Sequence, residues 1–255
     1  MKREFKGVIF DINGVLEFQG VVYPGAIELF RLLRRKEIVI RILTNSTLKS
    51  RQDCAAKLNR MGFEVDENEV VTASFATAQY LKTLKPRSCW VMLQGKGLEE
   101  FKDFHHDDQN PEYIVLGDYR EGFNFKNLNK ALKLLLEGSQ LIVMIPEKVD
   151  HSMGEVELTV GAYGKMLEDA ARIEATYIGK PSKGIYDMSL LTMGLSRSSV
   201  LMVGDRIDTD IAGAKAAGIK SVLVKAGEFQ ASDLRDELQP DYVIDSIRDL
   251  AKFFP

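Results

Sequence analysis

The chain has 255 residues, with 34 Lys plus Arg against 37 Asp plus Glu and a formal net charge of -3. Hydrophobic residues make up 45% and charged residues 28%, an ordinary globular balance that excludes disorder as the main state and does not fit a nonspecific nucleic-acid binder. No apolar run approaches the ~18 residues of a membrane span, so neither nucleic acid nor membrane is an expected partner.

In chain order, residues 1–5 lead almost directly into a strand at 6–12, which leaves no room for a signal peptide. Cys54 and Cys89 have no metal-ligand spacing and read as free thiols of a reducing, cytoplasmic compartment. A helix follows at 26–36, with Leu29, Leu32 and Leu33 on one face. Its Arg34, Arg35 and Lys36 suit the negative end of the helix dipole. A strand at 39–44, a helix at 48–61 stopped by Gly62 and a helix at 74–84 come next. Strands alternating with helices predict a parallel sheet with right-handed crossovers.

The middle section reads as strands at 90–93 and 113–116, a helix at 125–136, a strand at 141–145 and a helix at 162–173. Leu132, Leu134, Leu135 and Leu136 read as core, Trp90 as buried, and His105-His106 as a solvated loop. These two histidines and His151 form no metal spacing. The last third resumes the alternation, with strands at 175–179, 200–203, 221–224 and 242–244. Helices fall at 184–193 and 210–217, around Leu234 and around Leu250. The expected fold class is α/β: a Rossmann-like parallel sheet core with an inserted smaller α/β cap. Residues 1–80 and 176–255 would build the core, and 81–175 the cap.

Four segments carry chemistry. The run Val8-Ile9-Phe10 ends on Asp11, then turns through Asn13 and Gly14. Ligands of open parallel sheets bind beyond the carboxyl ends of strands, where a carboxylate serves as a phosphorus nucleophile or a hard-metal ligand. Val203-Gly204-Asp205 repeats the pattern, and two strand-end acids on adjacent strands can share one Mg2+. Asp210 reads either as part of that site or as a helix cap, and Asp208 as exposed without a partner. Thr44, Asn45 and Ser46 offer hydroxyls and amides where a strand passes into a helix, a phosphate cradle. Lys180, in Gly179-Lys180-Pro181, can neutralise a phosphate and an aspartate together. Taken singly, each segment reads as well as an ordinary turn or a surface side chain.

The ordered set Asp-x-Asn-Gly, Thr-Asn, Gly-Lys-Pro and Gly-Asp-Arg-x-x-Thr-Asp resembles the haloacid dehalogenase (HAD) superfamily of aspartate-nucleophile phosphatases over nearly the whole chain. The 135 residues between Thr44 and Lys180 resemble its class IIA arrangement with a C2-type cap. The segments 39–45, 127–131, 160–163 and 224–233 are similar to the subgroup of phospholysine phosphohistidine inorganic pyrophosphate phosphatases and related HAD-domain proteins. The resemblance implies Asp11 as nucleophile and Mg2+ ligand, with the Asn13 backbone carbonyl and Asp205 as further ligands. Thr44, Asn45 and Ser46 would hold the phosphoryl group, Lys180 would balance charge between that group and Asp11, and Asp210 would orient the metal's water shell. The implied substrate is a small phosphorylated metabolite or pyrophosphate, and a homodimer through the cap is compatible with it.

Two departures bear on the chemistry. Phosphatases of this superfamily usually have an acid at position 13, and Asn can neither protonate a leaving group nor activate water. In the cap, Ile145-Pro146-Glu147 stands where class IIA members often have Asn-Pro-Asp. The expected function is Mg2+-dependent hydrolysis of a phosphate monoester, phosphoramidate or pyrophosphate through an aspartyl-phosphate. The competing readings are a phosphate-binding regulatory protein that lost turnover, which Asn13 favours, and a receiver-type phosphoacceptor, a module about half this length.

Overall fold

In the computed structural model, which describes residues 5–150, 156–234 and 238–255, the short apolar runs become strands of two separate sheets. The elements in chain order are β1 (Gly7–Phe10), β2 (Glu17–Phe18), β3 (Val21–Val22), α1 (Ala26–Arg35), β4 (Val39–Thr44), α2 (Arg51–Arg60), β5 (Val70–Thr72) and α3 (Ala73–Leu84). They continue with β6 (Cys89–Met92), β7 (Tyr113–Leu116), α4 (Phe125–Leu136), β8 (Gln140–Val143), β9 (Val149–Asp150), β10 (Glu157–Leu158), α5 (Val160–Ala171) and β11 (Thr176–Tyr177). The chain closes with α6 (Lys183–Met193), β12 (Val200–Gly204), α7 (Ala212–Ala217), β13 (Lys220–Val224) and β14 (Tyr242–Ile244).

Contacts divide the chain into two units. One comprises the described residues up to Thr44, Gln52–Val71 and those from Lys180 onward; the other comprises Asn45–Arg51 and Thr72–Gly179. The first holds a six-stranded sheet in the order β14-β13-β12-β1-β4-β5, in which the pairings from β14 to β4 are parallel. Central β1 has Phe10 opposite Val203 on one side and Ile42 on the other. A parallel sheet covered on both faces needs strands apolar on both sides. Accordingly Val8, Ile9, Phe10 and Val200 to Val203 are fully buried. Such a strand has room for an acid only at its end, which is where Asp11 and Asp205 stand. The second unit holds the sheet β11-β8-β7-β6, also parallel, and the short antiparallel pair β9 and β10. The fold class is thus the expected α/β one.

Several local expectations are corrected. The helix expected from Leu48 begins at Arg51, because residues 47 and 48 are bound elsewhere. The Leu48 carbonyl accepts from Gly97 N at 3.0 Å, and the Thr47 hydroxyl accepts from Asp118 N at 3.2 Å. Leu136 is 65% exposed rather than core, since it ends α4 off the face that buries Ala131, Leu134 and Leu135. The helix expected at 210–217 is a π-helical turn, Ile207–Ile211, leading into α7. The helix around Leu250 is a 3-10 helix, Ile247–Phe253. Near Leu234 the chain forms a 3-10 turn, Ala231–Asp233; the rest of that expected helix falls on residues 235–237, outside the described residues, as does His151. The two-residue strands β2, β3, β9 and β10 and the three-residue β5 are additions, too short to show a periodicity. Trp90 is buried and His105 and His106 are exposed, as expected; Cys54 and Cys89 are buried and, as expected, not in a disulfide. Among the described residues no helix is long and apolar enough to cross a membrane.

Candidate active site

Three neighbouring strands of the first unit deliver polar groups to one edge of the sheet. Asp11 follows β1, Asp205 follows β12, and Thr44 is the last residue of β4; all three are buried. A fourth group comes from the turn at Ile207–Ile211. There Ile207 and Ile211 pack on Leu223 of β13, which leaves Asp208 outward and Asp210 fully buried. π-helical turns are uncommon and recur at functional sites. This one is anchored from α6, where the buried Tyr186 hydroxyl donates to the carbonyls of Thr209 (3.0 Å) and Asp210 (3.3 Å).

Lys180 organises the acids. Its ammonium donates to Asp11 Oδ1 and Asp210 Oδ1, both at 2.7 Å, with Lys180 only 4% exposed. Asp210 therefore does not cap α7: its Oδ2 accepts from Arg206 N at 3.3 Å. Asp208 is exposed as expected, but it has a partner, an ion pair with Arg206 at 2.8 Å.

One carboxylate oxygen each from Asp11, Asp205 and Asp210 lies within 4.8 Å of the others. Three carboxylates facing one ammonium leave two negative charges uncompensated. Burial first, and then these neighbouring charges, shift their acidities. Burial, opposed by Lys180, raises Asp11 from 3.8 to about 6. Burial and the fields of Asp11 and Asp210 push Asp205 up to about 8. Burial opposes the charge on Lys180, but Asp11 and Asp210 outweigh it and hold the ammonium well above its ordinary pKa. Close-set, buried, hard oxygen donors with excess negative charge fit a divalent cation of the Mg2+ type. The backbone makes room for them at Gly14, with φ at 76°, where a Cβ would stand 1.9 Å from Asp205 Oδ2.

These shifts carry a sign for stability. A carboxyl whose folded pKa is raised keeps its proton in the folded state while the unfolded chain has already lost it. Folding is then penalised progressively as pH rises through the window between the two values. For Asp205 that window runs from 3.8 to about 8. In EDTA the melting temperature is expected to fall between pH 5 and about 8. Asp205→Asn should flatten that fall, and should also abolish any rise in melting temperature produced by Mg2+ at pH 8. Calorimetric scans of both proteins, with and without Mg2+, check this.

Of the other expected site residues, Asn13 is exposed, two residues past Asp11. Asn45 and Ser46 belong to the second unit. There Asn45 Nδ2 donates to Glu147 Oε2 at 2.7 Å. Sequence reasoning singled out Glu147 only as a departure and missed both this bond and the support from Tyr186.

A parallel sheet with buried strand-end acids around one lysine is an α/β arrangement suited to an enzyme acting at the carboxyl edge of the sheet. Residues 8–106 match the family model described as haloacid dehalogenase-like hydrolase, and residues 177–250 match a second, HAD-hydrolase-like model. Haloacid dehalogenase-like hydrolase domain-containing protein 2 of Bos taurus is 31% identical, over 94% of this chain and 91% of its own. Phospholysine phosphohistidine inorganic pyrophosphate phosphatase of Bos taurus is 34% identical, over 95% and 91%. The solved p-nitrophenyl phosphatase from Archaeoglobus fulgidus superposes with a TM-score of 0.91 at 30% identity, covering 98% of this chain and 99% of that one. The chain belongs to the haloacid dehalogenase-like hydrolases.

Proposed function

We propose that this hydrolase is a Mg2+-dependent phosphatase in which Asp11 is the nucleophile and an aspartyl-phosphate the intermediate. The observation that carries the reading is the buried cluster of Asp11, Lys180, Asp205 and Asp210 at the carboxyl edge of a parallel sheet. Asp11, the backbone carbonyl of Asn13 and Asp205 would hold the metal, with Asp210 acting on its water shell. When bound, Mg2+ supplies positive charge for the phosphoryl oxygens.

In the first step an Asp11 oxygen forms a bond to phosphorus as the bond to the leaving group breaks. The bonding electrons leave with that group. In the second step water attacks the same phosphorus, the Asp11–phosphorus bond breaks, and phosphate and the free carboxylate are released. Lys180, already bound to Asp11 Oδ1, keeps the carboxylate ionised and aimed while its charge faces the transferring group. Thr44, Asn45 and Ser46 would hold the phosphoryl oxygens, and the second unit would act as the cap that selects among substrates.

Asn13 sets the substrate class. Without an acid at that position, substrates whose leaving groups depart with little protonation by the enzyme are favoured. Phosphoramidates, pyrophosphate and aryl phosphates meet that condition better than alkyl esters. The names of the relatives point the same way: one is a phospholysine, phosphohistidine and pyrophosphate phosphatase, another a p-nitrophenyl phosphatase. The test is phosphate release from sugar phosphates, nucleotides, pyrophosphate, phosphoramidates and p-nitrophenyl phosphate, with Mg2+ and in EDTA. Turnover of the activated substrates with Mg2+ alone is expected. Equal turnover in EDTA would overturn the metal-dependent reading, and binding of phosphate compounds without turnover would favour a regulatory protein.

A further inference from the structure

The loop after β13 lies against Asp205, although more than twenty residues separate the two. Glu228 N donates to Asp205 Oδ2 at 2.9 Å. The preceding residue, Gly227, has φ at 59°; a Cβ there would stand 2.2 Å from Asp205 Oδ2 and 2.4 Å from the Gly14 Cα. The loop backbone is thus pressed onto the carboxylate beside Gly14, which crowds the same oxygen. The Tyr23 hydroxyl also holds this loop: Gly227 N donates to Tyr23 Oη at 2.9 Å, beside a looser ion pair of Arg206 with Glu228 at 3.8 Å.

Tyr23 is itself firmly placed. Its N–H donates to the Leu16 carbonyl and its carbonyl accepts from Ala26 N, both at 3.1 Å. Its half-buried ring packs against the main apolar core. The residue therefore stands between β3 and α1, on the segment that continues from Asp11, Asn13 and Gly14. Through one hydroxyl it joins that segment to the loop that binds Asp205.

We propose that Tyr23 is a positioning residue for the metal-binding carboxylate. By holding Gly227 it fixes the Glu228 N–H on Asp205 Oδ2, and so fixes which way the Asp205 carboxylate faces. The inference rests on the reading of Asp205 as a Mg2+ ligand. It adds a contribution from Tyr23 and from the loop after β13, which meets Asp205 through the Glu228 N–H. Without the hydroxyl, the Asp205 carboxylate can rotate away from the orientation that binds metal, and reorienting it costs affinity. The net worth of one intramolecular hydrogen bond corresponds to about a threefold to tenfold change in an equilibrium constant.

The test is Mg2+ titration of the full chain by isothermal calorimetry, without substrate, for wild type, Tyr23→Phe and Gly227→Ala. The metal-free melting temperature in EDTA is measured in parallel. For Tyr23→Phe the dissociation constant for Mg2+ should rise about threefold to tenfold. Turnover at saturating Mg2+ should stay within about twofold of wild type, so that the change appears in the metal dependence and not in kcat. Gly227→Ala places a methyl group on Asp205 and should weaken Mg2+ binding further. Wild-type Mg2+ affinity in Tyr23→Phe would overturn the inference while leaving the metal reading intact. So would a variant that loses melting temperature in EDTA yet binds Mg2+ normally once folded. Failure of the wild type to bind Mg2+ at all would overturn the metal reading, and this inference with it.

Discussion

Replacing Asp11 by Asn is expected to lower kcat by at least about 10⁴-fold on every substrate the wild type turns over, the scale on which removal of a covalent nucleophile acts. The fold should survive the change. Asn keeps the shape of the side chain, and Lys180 retains its 2.7 Å bond to Asp210. The substitution also removes one of the negative charges that raise the Asp205 pKa. The metal-free Asp11→Asn protein should therefore lose less melting temperature than wild type between pH 6 and pH 8. Loss of turnover together with a flatter pH profile of stability separates removal of a nucleophile from collapse of the site. Steady-state kinetics and thermal scans in EDTA measure the two.

The opposite change is expected at position 13. Asn13 is exposed just beyond Asp11, so a carboxyl group there meets solvent and little burial penalty. An acid at this position could donate a proton to the leaving group and later take one from the attacking water. General acid–base catalysis contributes about 10²–10⁴-fold, and Asn13→Asp should raise kcat on alkyl phosphate monoesters by at least about tenfold. The gain should be smaller on p-nitrophenyl phosphate, whose leaving group needs little protonation. Mg2+ affinity should change little, because the proposed ligand is the main-chain carbonyl. The ratio of the two gains is the discriminating quantity. Equal gains, or none, would mean that position 13 is not where the proton is delivered.

The strand-end acids were legible in the sequence for a physical reason. A strand buried on both faces tolerates no charge along its length, so Asp11 and Asp205, each directly after an apolar run, announce both the strand and its exit. Lys180 was legible as a strand-end cation and, through the resemblance, as a partner of Asp11, but nothing local marked its bond to Asp210, 30 residues away. Asp210 read either as part of the metal site or as a helix cap; the cap reading arose because the sequence around it has helical composition, and nothing local marks a π-helical turn packed through Ile207 and Ile211 on Leu223. Asp208 looked unpartnered, yet Arg206 pairs with it across that same turn. The start of α2 was read three residues early because Leu48 fits a helical pattern. Its carbonyl is taken by Gly97, a tertiary bond that no local pattern contains. Tyr23 gave no signal at all, being one aromatic residue whose partner is a backbone N–H 204 positions away.

The central claim is that phosphoryl transfer passes through Asp11. It is tested most directly by quenching the enzyme in acid during turnover of p-nitrophenyl phosphate with Mg2+, reducing with borohydride, and mapping the peptides by mass spectrometry. An acyl phosphate is reduced whereas a free carboxylate is not, so the account expects conversion of Asp11 to homoserine in wild type and no conversion in enzyme quenched without substrate. Conversion at a different carboxylate, or unmodified Asp11 in enzyme caught at full turnover under conditions that trap an authentic acyl phosphate, would contradict it.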